Sequence, residues 1–233
     1  MKRILRDLLY NLNCIEIIGS TDLVISQLCI SSVNAIKSSL FVALRGVNND
    51  GHDFIKHAIS LGAHSVICER APKDLDKQIT YVIVNDSTRS LSLISSNFFS
   101  NPSSKIKVIG ITGTNGKTST TYYLASLFRK LNYKVGLIST IEYQVDSHTT
   151  LSTHTTPNAI VINQLLSKMV QAGCDYCFME VSSHGISQKR ITGLDFDVAV
   201  FTNISRDHLD YHITFDHYLN TKKNFFDNLS SQA

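Results

Sequence analysis

Lys107-Val-Ile-Gly-Ile-Thr-Gly-Thr-Asn-Gly-Lys-Thr-Ser119 reads as a strand, a glycine turn and the first residues of a helix. In that context a glycine loop cradles phosphates: backbone N–H groups face the anion, the helix N-terminus adds a favourable dipole, and Lys117 supplies a cation. The hydroxyl of Thr118 is then placed to meet a Mg²⁺ that bridges terminal phosphates. The strict G-x-x-x-x-G-K-[ST] spacing asks for glycine at 111, where Ile111 stands; the first loop glycine is Gly113, giving G-x-x-G-K-T. The spacing predicts nucleoside triphosphate binding over Gly113, Thr114, Asn115, Gly116, Lys117, Thr118 and Ser119. No N-K-x-D segment for guanine recognition follows, so ATP is expected rather than GTP.

Outward from this loop the chain alternates strand and helix. A helix is predicted over 117–131 with Tyr123, Leu124, Leu127, Phe128 and Leu131 on its buried face, then a strand at 135–138 and a helix over 158–172. Strands follow at 175–181 and 197–202, then a helix over 214–229. Near-continuous apolar strands separated by helices of this length predict a parallel sheet covered on both faces. Before the loop, residues 40–44, 65–68 and 81–84 read as strands, with helices near 53–61 and 88–99. Ser100-Asn-Pro-Ser-Ser104 has linker composition. The expected architecture is therefore α/β throughout: a small domain over 1–103, then a P-loop-type domain over 104–233.

The 233 residues, 43% hydrophobic and 18% charged, suit a globular chain rather than a disordered one. A net charge of +3 without a basic run argues against a nucleic-acid partner, and no apolar stretch is long enough to span a membrane. The amino terminus lacks a signal-length apolar core, so a cytoplasmic protein is expected. Five scattered cysteines suit reduced thiols. Cys174 and Cys177 form a C-x-x-C, but at the start of an apolar strand rather than at the helix N-terminus that a redox pair needs.

Downstream, chemistry-bearing residues gather at strand ends, where open α/β sheets bind ligands. Glu180 closes the strand Tyr176–Glu180 and is placed either to hold Mg²⁺ or to cap the turn Ser182-Ser-His-Gly185. His208, in Phe201-Thr-Asn-Ile-Ser-Arg-Asp-His-Leu-Asp-Tyr-His212, is a metal ligand or a structural histidine, with Asp207, Asp210 and His212 able to orient it. In the last helix Phe215, Tyr218, Leu219, Phe225, Phe226 and Leu229 mark an apolar stripe that also contains Lys222, whereas Lys223 points away. An inward lysine either snorkels or becomes a neutral, reactive amine. His154-Thr-Thr-Pro-Asn158 precedes a helix, with Thr155 or Thr156 as its cap or as an anion contact. Gln188 and Arg190 offer an amide and a guanidinium.

Gly113-Thr-Asn-Gly-Lys-Thr-Ser119, His154-Thr-Thr-Pro157, Met179-Glu-Val-Ser-Ser-His-Gly185 and Thr202-Asn-Ile-Ser-Arg-Asp-His-Leu-Asp-Tyr-His212 together resemble the Mur ligases, which build the peptidoglycan peptide. Ser39-Leu-Phe-Val-Ala-Leu-Arg-Gly46 and Asp50-Gly-His-Asp-Phe54 extend the resemblance to the first domain. It is nearest to the branch that adds the third residue to UDP-MurNAc-L-Ala-D-Glu, with meso-diaminopimelate as the expected residue and L-lysine as the alternative. The resemblance implies ATP-dependent amide formation through an acyl phosphate, by a cytoplasmic monomer. It gives Thr118 and Glu180 to Mg²⁺, and Thr155, Thr156, Ser182, Gln188 and Arg190 to the UDP-muramoyl dipeptide. Lys117 serves the phosphates. Lys222 becomes a carbamate (N6-carboxylysine) that holds Mg²⁺ beside His208. Ile30, Ser32, Val47, Asn48 and Asn49 would meet the uridine, although Ser31-Ser32-Val33 stands where relatives read Asp-Ser-Arg. Relatives carry a third domain for the incoming amine, so the chain resembles the first half of such a ligase. The alternatives are a folylpolyglutamate-type ligase and a fragment that binds without turnover.

Overall fold

A computed structural model describes residues 1–46 and 49–229. The chain divides into two compact units, Met1–Phe98 and Phe99–Ala233.

The first unit runs β1 (Arg3–Ile4), α1 (Leu5–Leu8), β2 (Cys14–Ile18), β3 (Val24–Ile25), β4 (Gln27–Cys29), β5 (Ser39–Val42), α2 (Ile55–Ser60), β6 (Ala63–Cys68), β7 (Thr80–Val84) and α3 (Ser87–Phe98). Its main sheet has the order β2-β7-β6-β5-β4, parallel except for β2, and β1 pairs with β3. Strands β5 and β7 are buried at every residue, which is why they read as continuous apolar runs. Strand β2 escaped the sequence reading because it is an edge strand with mostly exposed residues.

The second unit runs β8 (Lys107–Thr112), α4 (Lys117–Lys130), β9 (Val135–Ile138), β10 (Glu142–Val145), β11 (His148–Leu151), α5 (Ala159–Gln171), β12 (Tyr176–Glu180), α6 (Ser183–Ser187), β13 (Val198–Phe201), α7 (Leu209–His212) and α8 (Phe215–Asp227). The strand order is β11-β10-β9-β12-β8-β13. The central four strands are parallel, but β10 and β11 form an antiparallel meander on the β9 edge. The sheet is thus mixed, not all-parallel as the sequence predicts. Both added strands are short and polar, so they carried no apolar signal.

Alternation along the parallel strands feeds two cores. Val108, Cys177 and Met179 pack with Ile162, Leu166 and Met169 of α5 and with Phe225 of α8. Ile109, Ile111, Leu137 and Phe178 pack on the opposite face with Ala125 of α4. Both C-x-x-C cysteines lie in the first core, where burial pushes their thiols up, against the thiolate a redox pair needs.

The buried face of α4 differs from the expected one. Thr121 and Ala125 are buried, with Tyr122, Leu124 and Phe128 partly so, while Tyr123 is 76% and Leu127 51% exposed and Leu131 is exposed too. Small residues let the helix sit close on the sheet, and a reading keyed to large apolar residues rotates the face. Leu127→Ser is therefore expected to change stability by no more than about 0.5 kcal/mol, and Ala125→Leu to cost about 1–3 kcal/mol. Urea denaturation measures both, and the reverse ranking would contradict this packing.

Candidate functional site

The glycine loop lies at the carboxyl end of β8, between it and α4. Gly113 and Gly116 have φ of +150° and +82°, conformations open to glycine. The segment after β13 grips the loop. Thr114 N donates to Asn203 O at 2.9 Å, Asn203 Oδ1 accepts from Asn115 N at 3.0 Å, and Thr202 Oγ1 donates to Asn115 O at 2.7 Å. From α8, Tyr218 Oη meets Thr114 Oγ1 at 3.0 Å.

Two lysines converge on one carbonyl. Lys117 Nζ donates to Gly113 O and Thr114 O, both at 2.8 Å, and Lys222 Nζ donates to Gly113 O at 2.8 Å and to Thr112 Oγ1 at 3.4 Å. The two amine nitrogens therefore sit within two hydrogen-bond lengths of each other, and among the described residues their hydrogen bonds go to neutral oxygens. Lys222 is only 2% exposed and lies 4.9 Å over the Tyr218 ring. Burial, then the Lys117 charge, brings its amine down to about 7, opposed by Asp207. Burial also lowers Lys117, against the pull of Glu180 and Asp207. The half-buried Lys117 ammonium and the glycine turn at the start of α4 suit a polyanion, so these residues fit a bound triphosphate.

The buried side of α8 corrects the predicted stripe. It consists of Tyr218, Thr221, Lys222 and Phe225, whereas Leu219 is exposed. Lys223 is exposed and pairs with Asp227 at 2.6 Å, so the inward lysine is Lys222.

Glu180 is fully buried at the end of β12. Its Oε2 accepts from Thr118 Oγ1 and Thr140 Oγ1, both at 3.0 Å, and its Oε1 accepts from Thr140 N at 2.8 Å. It does not cap the following turn, since Ser182 caps α6 by accepting from Gly185 N at 3.1 Å. Thr118 and Glu180 form a hydroxyl–carboxylate pair one strand from the loop, a donor set suited to Mg²⁺. His208 is not part of it. Its side chain is 44% exposed, Nε2 lies 3.6 Å from Asp207 Oδ2, and its ring stands 5.0 Å from that of His184. Among the described residues no cluster of three or more His, Cys, Asp or Glu is gathered for a metal.

The remaining second-unit candidates form one network. Thr156 is buried; its Oγ1 donates to Glu180 O at 2.8 Å and accepts from Ser182 N at 2.9 Å. Thr155 Oγ1 lies 3.0 Å from Thr140 Oγ1, a second acceptor within reach of the same hydroxyl. Arg190 Nη1 donates to Thr156 O, and its Nε donates to Gln188 Oε1 at 3.1 Å. Neither Thr155 nor Thr156 caps α5, because Asn158 does so by accepting from Val161 N at 3.1 Å. In the first unit Ser32 is buried and its Oγ meets His57 Nδ1 at 3.0 Å. Ile30 is half-buried, and Asn49 is exposed with its carbonyl accepting from Gly46 N at 2.9 Å. Val47 and Asn48 lie outside the described residues.

Sequence reasoning passed over Thr140, Asn203 and Tyr218. Thr140 lies two residues past β9, and Asn203 two past β13, so the strand-end rule that found Glu180 extends to both. A cavity of about 780 Å³ lies at the opposite end of the sheet, where Lys107 and Tyr176 begin β8 and β12. Its Lys107–Asp197 pair is already neutralised at 2.6 Å, and the ligand chemistry belongs at the carboxyl ends.

Comparison with known proteins identifies the family. The Mur ligase middle domain profile matches residues 111–233, and the profile described as Mur ligase family, catalytic domain, matches 24–97. The UDP-N-acetylmuramoyl-L-alanyl-D-glutamate--2,6-diaminopimelate ligase of Cytophaga hutchinsonii is 49% identical over 230 residues, covering 98% of this chain and 47% of that protein. The ligase of the same name from Bacteroides fragilis is 44% identical, covering 98% and 47%. The chain thus spans about half the length of the curated relatives it matches. Among solved structures, a UDP-N-acetylmuramoyl-L-alanyl-D-glutamate--2,6-diaminopimelate ligase superposes with a TM-score of 0.79 at 24% identity, over 97% of this chain and 45% of that one. MurF from Thermotoga maritima, solved in complex with ADP, gives 0.59 at 23% identity, over 88% and 43%. No helix among the described residues is long and apolar enough to cross a membrane.

Proposed function

Because the chain belongs to the Mur ligase family, we propose that it carries the nucleotide- and substrate-binding portion of an ATP-dependent ligase that adds meso-diaminopimelate to UDP-MurNAc-L-Ala-D-Glu through an acyl phosphate. The observation that carries this reading is the meeting of Lys117 and Lys222 on the Gly113 carbonyl, close to the Thr118–Glu180 pair. ATP with Mg²⁺ supplies the transferable phosphoryl group and a neutralising charge.

The chain's own part is positioning and charge. The Gly113–Ser119 backbone and Lys117 hold the phosphates, and Thr118 and Glu180 hold Mg²⁺. Arg190, fixed by Gln188 and Thr156, presents a guanidinium to a substrate carboxylate, with Thr155 and Ser182 beside it. In the first unit Ile30, Ser32 and residues 47–49 meet the uridine. Lys222 is the amine that takes up CO₂: a neutral amine attacks the carbon, releases a proton and becomes an anion able to hold a cation beside His208. The work belongs in the cytoplasm, where the UDP-linked precursor and ATP meet.

Thermal-shift titration tests the assignment. With Mg²⁺ and ATP, UDP-muramoyl dipeptide at a hundred times its dissociation constant is expected to add about 2.7 kcal/mol of stability. A folate in its place should add none. Stabilisation by the folate alone would turn the reading to a folylpolyglutamate-type ligase.

A further inference from the structure

The hydroxyl of Thr140 stands between two groups with different proposed tasks. It lies 3.0 Å from Glu180 Oε2 and 3.0 Å from Thr155 Oγ1, positioned to donate to either. A threonine hydroxyl has one proton, so it serves one of these acceptors at a time. We propose that Thr140 is a positioning residue whose hydroxyl couples the cation site at Glu180 to the substrate site at Thr155. This rests on the assignment of those two residues given above and adds a link between them.

The physical reason lies in the burial of Glu180. Its carboxylate meets no solvent, and its charge is met by Thr118 Oγ1, Thr140 N and Thr140 Oγ1. An ionised acceptor outcompetes a neutral hydroxyl, so with no cation at Oε2 the Thr140 proton belongs to Glu180. Were Thr118 and Glu180 to hold a divalent cation, its charge would offset that of the carboxylate and make Oε2 a weaker acceptor for the Thr140 hydroxyl. The proton then turns to Thr155 Oγ1. Once Thr155 accepts from Thr140, its own O–H is directed outward, as a donor to a substrate oxygen. The backbone N–H of Thr140 keeps hold of Oε1 throughout, so the carboxylate does not drift as the hydroxyl turns. Cation and substrate thereby favour each other, and linkage requires the effect to be equal in both directions.

Thr140→Val removes the hydroxyl at nearly constant shape and leaves the backbone donor in place, while Thr140→Ser keeps the hydroxyl. Calorimetric titration of UDP-muramoyl dipeptide, with a non-hydrolysable ATP analogue and with or without Mg²⁺, gives the coupling ratio for each protein. Mn²⁺ titration followed by electron paramagnetic resonance reads the cation site separately. The wild type is expected to bind the dipeptide more tightly with Mg²⁺, the Thr140→Val ratio to fall about fivefold, as for one hydrogen bond, and Thr140→Ser to keep the wild-type ratio within about twofold. A Thr140→Val ratio equal to wild type, with melting temperature and Mn²⁺ binding intact, overturns the coupling alone. Wild-type protein that binds Mn²⁺ and nucleotide but no dipeptide removes the Thr155 assignment, and the coupling with it.

Discussion

Lys222→Met is expected to abolish carbamate formation and to stabilise the unit that carries it. Lys222 is a buried amine whose near neighbour is another cation, and among the described residues its hydrogen bonds reach only Gly113 O and Thr112 Oγ1. Replacing a buried charge that lacks an ionic partner with an apolar chain of similar length removes a desolvation cost. The Gly113 carbonyl is not orphaned, because Lys117 still donates to it. A gain of about 1–3 kcal/mol follows by analogy with other buried charges replaced by apolar side chains. The functional loss runs the other way. In ¹³C-labelled bicarbonate the wild type should show a carbamate resonance and the variant none, with Mg²⁺-dependent nucleotide affinity falling more than tenfold. A persisting resonance, or a variant less stable than wild type, would refute the account.

The pH dependence of the same residue has a definite sign. Its ordinary value is 10.5 and its value in the fold is about 7. Between these limits the unfolded chain binds a proton that the folded chain does not, so stability rises with pH across that window. Below pH 7 both states are charged and the full burial cost is present. The carbamate needs the neutral amine, so its resonance should grow as pH rises through 7 and fade below it. In Lys222→Met this residue's share of the stability slope vanishes.

Gly113→Ala is the second large effect. An added Cβ would lie 1.9 Å from Thr202 Oγ1 and 3.0 Å from Asn203 O, and φ of +150° is strained for any L side chain. Thr202 cannot simply turn aside, since its hydroxyl donates to Asn115 O at 2.7 Å, with Thr112 O as the alternative acceptor at 3.3 Å. The cost is about 2–4 kcal/mol, from clash and backbone strain combined. Because Gly113 O is the carbonyl on which both lysines meet, nucleotide affinity should fall at least a hundredfold, as measured by titration of a fluorescent ATP analogue. Near-normal affinity in a folded Gly113→Ala protein would show that the loop does not cradle phosphates.

Local pattern carried most of the architecture. Alternate residues of β8 and β12 enter opposite cores, and α5 buries the Ile162, Leu165, Leu166 and Met169 set that helical spacing selects. Failures occurred where burial depends on a distant partner. The close face of α4 is built on Thr121 and Ala125, which carry little apolar signal, and β10 and β11 are polar strands that exist because β9 offers them an edge.

The candidate site divides in the same way. Glycine spacing, the inward lysine and a carboxylate at a strand end follow from residue type and periodicity, so Gly113–Ser119, Lys222 and Glu180 were legible from the order of residues. Hydrogen-bond partnership is set by which strand ends lie side by side, and no local rule encodes that. The parallel pairing of β9 with β12 brings Thr140 to Glu180, and the pairing of β13 with β8 lays Asn203 on the glycine loop. The same folding leaves His208 exposed beside His184 while burying Lys222. Chain order names the candidate groups, and long-range pairing selects which of them come within hydrogen-bond reach of one another.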